Sequence, residues 1–201
     1  MESINYTTAE LLNIVIENVL KMLWRRNLIY SWEAELEKIS DITNNIIIIS
    51  LLNGSQYYIN FINTAITNIA SGTQLDEFLS NNVNIHKILI IKSISKKAVK
   101  QLYHDYQNIE YFLEHEMYED IPSKHFIPKH ELLNDEQTTE LLTYFNENEL
   151  GKILLYDMMS RYYNAKVGNI FKIIRPSINA GFSIYYRKVI PCSVDILFLN
   201  Q

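Results

Sequence analysis

The stretch Gly168-Asn169-Ile170-Phe171-Lys172-Ile173-Ile174-Arg175-Pro176-Ser177, continued by Ala180-Gly181-Phe182-Ser183-Ile184-Tyr185-Tyr186-Arg187, carries the strongest structural signal in the chain. Both segments are rich in β-branched and aromatic residues, which predicts strands at residues 169–175 and 182–190. Pro176 lacks an amide donor and holds its predecessor extended, so we expect it to mark a strand end. Gly181 helps the chain to turn back, and the two strands are expected to pair.

Helical patterns precede this strand pair. Residues 135–146 predict a helix in which Asn134 is the N-cap and Gln137 lies three positions on. Residues 155–163 predict a helical turn. The module that contains these elements begins near residue 124, after an acidic segment with Pro122 and Ser123. We therefore assign residues 1–121 to an N-terminal domain and residues 122–201 to a C-terminal domain.

The N-terminal domain shows alternating helix and strand signals. A helix is expected over residues 9–27, where Thr7 and Glu10 have capping-box spacing, and a shorter one over 32–39. Strands at 44–52 and 55–62 flank Asn53-Gly54, a hairpin signal in which both residues are expected to take positive φ. A helix at 74–79, a strand at 87–92, a helix at 96–106 capped by Ser95 and a strand at 110–113 follow. Strand, helix and strand at this spacing predict an α/β layer.

Composition excludes several classes of protein. The chain has 201 residues, 48% of them hydrophobic, and a formal net charge of −5, so global disorder is excluded. Residues 1–123 hold 9 cations and 15 anions, whereas residues 124–201 hold 9 and 8. A single cysteine, Cys192, excludes a disulfide scaffold and suggests a reducing, intracellular compartment, with the thiol buried and inert. Polar residues interrupt every apolar run, so no membrane association is expected.

Catalytic motifs are missing. Nucleases with a metal site on a central strand need a carboxylate two positions before a lysine, and no lysine here has one. The five histidines show no spacing that would bring three or four zinc ligands together. Five glycines cannot build a nucleotide-binding loop. We therefore expect no catalytic residue, no metal, no cofactor and no small-molecule substrate.

Two basic clusters remain as candidate contact surfaces. The first consists of Lys92, Lys96, Lys97 and Lys100, and the second of Lys172, Arg175, Arg187 and Lys188. Either cluster could contact phosphate groups through charge alone. Because the chain is acidic overall, a solvated face without a partner is the alternative interpretation.

The second module resembles a known family. The residues that carry the resemblance are His125-Phe126-Ile127-Pro128-Lys129-His130, Asp157, Arg161-Tyr162-Tyr163 and the strand pair quoted above. This ordered pattern, over residues 124–190, resembles the fifth subunit shared by eukaryotic nuclear RNA polymerases and its archaeal counterpart, which has only this C-terminal part. The first module is compatible with the jaw domain of the eukaryotic subunit. The frequent Ile and Asn residues, 30 and 21 in number, are also compatible with a copy encoded by a large DNA virus.

The sequence departs from the family pattern at three places. Met158 follows Asp157 where the family has Pro, and Asn164 follows the tyrosine pair where it has Gly. Asn tolerates a left-handed turn, so the second change is expected to be mild. Ile178-Asn179 replaces a Glu-Thr pair, which puts a charge contact at that position in doubt. Residues 191–201 extend beyond the usual end of the family.

The resemblance implies an α+β protein and a non-catalytic role. The N-terminal α/β jaw would have a fold similar to restriction endonucleases without their active site, and the C-terminal α+β domain would serve assembly. The partners implied are the largest RNA polymerase subunit, other polymerase subunits and downstream double-stranded DNA. The residues expected near DNA are Lys92, Ser93, Ser95, Lys96 and Lys97. Those expected at the subunit interface are His130, Asp157, Arg161, Tyr162, Tyr163, Lys172, Arg175, Pro176 and Arg187.

The location expected from the resemblance is the nucleus for a cellular protein, or the virion and host cytoplasm for a viral one. The alternative to a polymerase subunit is a free-standing DNA-binding or transcription-regulating module that reuses the fold. An active nuclease is disfavoured by the missing carboxylate–lysine motif.

Overall fold

A computed structural model describes residues 6–39, 45–177 and 180–198 of the chain. The chain forms two compact units, Met1–Asp120 and Ile121–Gln201. Each unit contains a four-stranded sheet together with helices, so the protein is a mixed α+β fold, as the sequence predicts. None of the helices in these ranges has the length and apolarity that a membrane crossing requires.

The first unit is built around a mostly parallel sheet. Its helices and strands are, in chain order, α1 (Thr8–Arg25), α2 (Trp32–Lys38), β1 (Ile46–Ser50), β2 (Gln56–Ile66), α3 (Gln74–Ser80), β3 (His86–Ile94), α4 (Lys96–Asp105) and β4 (Ile109–Leu113). The strand order is β1-β2-β3-β4, with β1 antiparallel to β2 and the other neighbours parallel. Parallel strands need crossover connections, and α3 and α4 supply them.

Strand β3 forms the centre of this sheet. Its residues Ile88, Leu89, Ile90 and Ile91 are each no more than 2% exposed. A strand covered on both faces requires such a continuous apolar run rather than an alternating one. The predicted α/β layer is therefore present, with β3, α4 and β4 as its strand, helix and strand.

The first helix begins as its sequence predicts. The Thr7 amide donates to the Glu10 carboxylate at 2.7 Å, and the Glu10 amide donates to the Thr7 hydroxyl at 3.3 Å. This capping box satisfies two amides that have no partner within the helix. The other elements predicted between residues 32 and 113 are also confirmed, with ends shifted by two residues or fewer, except in the first hairpin.

The hairpin of β1 and β2 is present, but its turn differs from the expectation. Gly54 has φ of +82°, whereas Asn53 does not take positive φ. The Leu51 amide donates to the Ser55 carbonyl at 2.9 Å, which closes a three-residue loop that needs one left-handed residue only. The Asn53 side chain instead accepts from the Ser55 amide at 3.0 Å. The predicted strand start at residue 44 lies outside the described residues.

The second unit has a sheet of order β5-β7-β8-β6. Its helices and strands are β5 (Lys129–Leu132), α5 (Asp135–Tyr144), β6 (Gly151–Leu154), α6 (Met158–Tyr162), β7 (Ile170–Ser177) and β8 (Gly181–Ile190). Strand β7 is antiparallel to β5 and β8, whereas β6 is parallel to β8. One cluster of its core contains six buried residues: Ile153, Met159, Ala165, Phe171, Ile173 and Val189.

Four details of the second unit differ from the sequence predictions. Strand β7 continues through Pro176, which pairs with Phe182. Because β5 stops pairing at Ile174, Pro176 has only one neighbouring strand, and its missing donor is tolerated there. Helix α5 ends at Tyr144 rather than at residue 146, and the predicted turn at 155–163 is helical only over α6. Strand β6 was not predicted.

Candidate functional site

The five residues expected near DNA lie together where β3 passes into α4. We call Lys92, Ser93, Ser95, Lys96 and Lys97 the basic junction. Strand β3 ends at Ile94 and α4 begins at Lys96, so the buried Ile94 side chain anchors the middle of this segment. The three lysines and Ser93 are exposed, and Ser95 is half-buried. The sequence-predicted group is thus contiguous on the surface of the first unit.

Ser95 holds the junction in place. Its hydroxyl accepts from the Ala98 amide at 3.1 Å, as the predicted N-cap of α4, and donates to the Thr67 carbonyl at 2.5 Å. The Ser95 amide donates to the Ile66 carbonyl at 2.8 Å. These bonds join the start of α4 to the end of β2. Ser95 therefore positions the neighbouring lysines, and its own hydroxyl is already engaged.

The charge at the start of α4 is opposite to that of four other helices in the described part of the chain. Helices α1, α2, α3 and α5 each have at least one acidic residue in the first turn, whereas α4 has Lys96 and Lys97 and no acid. A cation at a helix N-terminus opposes the helix dipole, at a cost of about 0.3–1 kcal/mol. Lysine ammonium groups and helix N-terminal amides both attract anions. The junction is therefore electrostatically suited to an external anion.

The expected interface residues of the second unit lie around Phe171, at α6 and along β7 and β8, and the first group surrounds Phe171. The Tyr163 and His130 rings each lie 5.8 Å from the fully buried Phe171 ring, edge to face, and Tyr162 lies 5.4 Å from Tyr163. Tyr162 is only 3% exposed. It contributes to the core of the unit and can influence a partner only through the half-buried Tyr163. We call these four residues the Phe171 cluster.

His130 connects this cluster to two charged residues. Its Nδ1 lies 2.7 Å from the Pro128 carbonyl. Burial lowers the pKa of His130, and the charge of Arg187 acts in the same direction, while the Pro128 hydrogen bond and Asp157 oppose the shift. This environment favours the neutral imidazole, and because a carbonyl only accepts, Nδ1 carries the proton that is donated to Pro128. The structure brings His130, Asp157 and Arg187 close enough to interact electrostatically.

Asp157 and Arg161 belong to α6. The Asp157 carboxylate accepts from the Met159 amide at 2.9 Å and so caps the helix, and its carbonyl accepts from the Arg161 amide at 2.9 Å. Asp157 is exposed and Arg161 is half-buried. A cap does not need the proline that the family has at position 158, so Met158 is accommodated. Asn164, which follows the tyrosine pair, has φ of +49°, so the predicted left-handed turn is confirmed.

A further group of expected interface residues lies along β7. Lys172 is half-buried, and its ammonium lies 3.7 Å from the Glu131 carboxylate of β5. Arg175 and Pro176 lie further along the strand and are exposed. The Arg175 guanidinium lies over the Tyr185 ring at 5.8 Å, a cation–π contact. The departure from the family at Ile178-Asn179 lies outside the described residues.

Arg175 and Pro176 belong to a two-stranded projection. Strand β5 pairs with β7 only as far as Ile174, and β6 pairs with β8 only from Arg187 onward. Residues 175–177 and 181–183 therefore pair only with each other, and residues 184–186 pair with 172–174 but have no strand on their other side. We call residues 175–177 and 181–186 the hairpin arm. Its outer strand edges carry backbone groups without a neighbouring strand, an arrangement that accepts further partners.

The resemblance implies an exposed docking surface on the final strand pair, and the arm has exposed apolar side chains there. Phe182, Ile184 and Tyr185 are 70%, 53% and 50% exposed. Phe182 and Ile184 occupy alternate positions and so lie on one face of β8. That alternation was visible in the sequence, but strand patterns do not show whether an apolar face meets the core or solvent. The end of β6 leaves this part of β8 without a second neighbouring strand, and the three side chains stay at least half exposed.

The first unit also contains a buried ionic network that was not predicted. The Arg26 guanidinium donates to both Glu110 oxygens at 2.9 and 2.6 Å, and His86 Nε2 lies 2.5 Å from the same carboxylate. Burial raises the pKa of Glu110, but the charge of Arg26 and the hydrogen bond from His86 outweigh it and hold the pKa at about 2. The carboxylate is fully engaged, so its role is to stabilise the fold.

No cofactor or metal site is evident in the described ranges. There, no three His, Cys, Asp or Glu side chains converge on a common point. Cys192, expected to be buried, is half-buried.

Comparison with known proteins identifies the second unit with one family. The sequence model of the family described as "RNA polymerase Rpb5, C-terminal domain" matches residues 119–189. This range contains β5 to β8 almost entirely, including the Phe171 cluster and the hairpin arm.

Three relatives extend this result. The chain is 30% identical to "DNA-directed RNA polymerase subunit 5" of Acanthamoeba polyphaga mimivirus over 196 residues, 92% of this chain and 94% of the viral protein. It is 41% identical over 81 residues to "DNA-directed RNA polymerases I, II, and III subunit rpabc1" of Dictyostelium discoideum, a match that covers 39% of this chain and 41% of that protein. It is 41% identical over 66 residues to "DNA-directed RNA polymerase subunit Rpo5" of Archaeoglobus fulgidus, covering 32% and 87%.

Proposed function

The chain belongs to the subunit 5 family of DNA-directed RNA polymerases, and from this premise we propose that it is a non-catalytic subunit of a multisubunit polymerase with two separate surfaces. The second unit docks on the largest polymerase subunit. The first unit is the jaw, with a fold like that of an inactive restriction endonuclease, and it lies near downstream double-stranded DNA.

The hairpin arm supports the docking role. It combines exposed apolar side chains with the cations Arg175 and, at its base, Arg187. Contiguous apolar surface on a soluble domain is typical of protein–protein interfaces, and arginine and tyrosine are enriched at their energetic centres. If other polymerase subunits also contact the arm, they would bury the same apolar side chains and cations.

The basic junction supports the DNA-proximal role. Three lysines occupy the exposed end of a strand and the start of a helix in a region of the chain that is acidic overall. A small cationic edge of this kind provides modest, sequence-independent attraction to phosphate. It suits a subunit that guides DNA already held by a larger assembly.

The absence of a nuclease motif in the sequence fits an accessory role, in which catalysis belongs to other subunits of the complex. No cofactor or small-molecule substrate enters this proposal. The protein would act in the nucleus if it is cellular, and in the virion and host cytoplasm if it is encoded by a virus.

The observation that carries the proposal is the match to the mimivirus polymerase subunit over 92% of the chain, because it spans both units. The test is a mild tagged pull-down of the full chain from its native source, with all partners identified by mass spectrometry. Recovery of the two largest polymerase subunits in near-equal amount is expected. Recovery of the chain alone, or with unrelated proteins, would contradict the proposal and favour a free-standing DNA-binding or regulatory module.

A further inference from the structure

One segment of the first unit, longer than the basic junction, contains lysines but no acidic residue. Between Phe78 and His104 the chain has five lysines and no acidic residue. The unit as a whole is acidic, with 15 anions in residues 1–123. Four of the five lysines follow the buried part of β3, so the charge is carried by the end of that strand and by α4.

Part of this charge lines a groove beside α4. The groove has a volume of about 500 Å³ and lies between α4 and the backbone that follows β2; its lining residues are Asn68, Ile69, Lys97, Lys100, Gln101, His104 and Asp105. Lys97, Lys100 and His104 are spaced three and four residues apart and therefore share one face of the helix. We call this feature the α4 groove.

The walls of the groove are fixed to each other. The Gln101 side chain accepts from the Ile69 amide at 3.0 Å and donates to the Ile69 carbonyl at 2.6 Å. The one carboxylate in the lining, that of Asp105, lies 2.7 Å from His104 Nδ1 at the far end. The groove is therefore a preformed, open surface depression with lysines along its first part.

The groove is continuous with the basic junction through Lys97, which belongs to both. From Lys97 to His104 the helix rises about 10 Å, which equals the rise of about three nucleotides along one strand of B-DNA. A duplex that meets the junction would present consecutive backbone phosphates along this helix face.

We propose that the α4 groove binds the phosphate backbone of one strand of the downstream duplex, with Lys100 and His104 as contact residues in addition to the basic junction. This inference rests on the proposed function of the first unit. The inferred DNA contact extends along α4 and is not limited to the first turn of this helix.

The test is photocrosslinking in the assembled polymerase, with a photoreactive thymidine analogue placed at successive positions of the downstream duplex. Crosslinked peptides are mapped by mass spectrometry. The groove variant is Lys100→Ala with His104→Ala, and the matched control is Lys38→Ala with His115→Ala, two exposed residues of the same types elsewhere in the unit.

Crosslinks to residues 97–104 are expected in the wild type, with a yield that falls at least threefold in the groove variant and stays unchanged in the control. Protection of α4 amides from hydrogen exchange verifies that the helix is intact. Crosslinks that exclude residues 97–104, or equal yields in both variants, would overturn this inference while the proposed function stands. Absence of the chain from the polymerase would overturn both.

Discussion

The basic junction and the Phe171 cluster show two different relations between a functional surface and the fold. The junction lysines are exposed at the end of β3, and the neighbouring Ser95 and Ile94 connect that segment to the interior. The Phe171 cluster is the opposite case, because the ring of Phe171 is fully buried while its neighbours Tyr163 and His130 reach toward the surface. We therefore expect the fold to tolerate a change of charge at the junction, whereas the proposed docking residues near Phe171 also support the core.

The hairpin arm lies between these extremes. It extends from the cluster along β7 and β8, but its exposed side chains have few neighbours within the unit. The arm should therefore tolerate substitutions that the cluster does not, and the following predictions separate the three regions by stability and by assembly.

Phe171→Ala should have the largest effect. Loss of a fully buried aromatic side chain costs about 3–5 kcal/mol in unfolding free energy, which is enough to destabilise the whole second unit. Hydrogen-exchange mass spectrometry should show loss of protection in β5 to β8 and native protection in the first unit. Phe182→Ala is the matched control, because Phe182 is 70% exposed and its truncation should leave protection unchanged. Native protection in Phe171→Ala would contradict the assigned core role.

Glu110→Gln should destabilise the first unit by about 3–5 kcal/mol, since it leaves the Arg26 charge buried without its partner. The pH dependence provides a second signature. The pKa of Glu110 is about 2 in the folded protein and about 4.3 in an unfolded chain, so its contribution is complete above pH 4.3 and is lost as the pH falls toward 2. The wild type should lose protection of first-unit amides over this range more steeply than Glu110→Gln. Parallel pH profiles for the two proteins would contradict the assignment, and the exposed Glu37→Gln serves as the control.

Arg175→Glu and Arg187→Glu should each weaken assembly with the largest polymerase subunit at least tenfold, with little change in stability. Both side chains are exposed, so the substitutions leave the core intact. Binding of each variant to the purified largest subunit gives the affinity, and hydrogen exchange verifies the fold. Lys166→Glu reverses an exposed charge elsewhere in the second unit and should bind normally. Wild-type affinity of well-folded arginine variants would argue against docking through the arm.

Lys96→Ala with Lys97→Ala should have the smallest effect on the protein itself. Removing two cations from a helix N-terminus relieves an unfavourable dipole interaction, so α4 should gain at most about 1 kcal/mol. Assembly should be unaffected, while crosslinking to downstream DNA should fall. Lys38→Ala with Lys166→Ala changes the net charge equally and should keep wild-type crosslinking. Unaltered crosslinking in the junction variant would contradict the proposal that the basic junction lies near downstream DNA.

Local signals in the sequence predicted most of the architecture. The capping residues Thr7, Ser95 and Asn134 and the apolar run of β3 are short-range features, and the structure confirms them. Strand β6 could not be predicted in the same way. It has four residues, two of them Gly and Lys, and it exists because it pairs in parallel with β8, more than 30 residues away.

Long-range packing also decides which candidate residues are exposed. Lys87 begins the strand pattern of β3 and gives no sign of burial, yet it is 1% exposed and donates to the carbonyls of Leu79 and Asn81 at 2.8 and 2.6 Å. Tyr162 and Tyr163 are adjacent and chemically identical, but only Tyr163 reaches the surface. The sequence pattern predicts such residues as a group. Only their tertiary contacts show which side chains support the core and which are exposed to a partner.

The central claim is that the two units have separate functions within one polymerase, and a paired measurement on the assembled enzyme tests it most directly. Polymerase is purified through its largest subunit from cells that express Arg187→Glu or the Lys96→Ala, Lys97→Ala variant, and both subunit occupancy and crosslinking to downstream DNA are measured. The account predicts low occupancy for Arg187→Glu, and full occupancy with reduced crosslinking for the lysine variant. Equal occupancy and equal crosslinking in both preparations would contradict it.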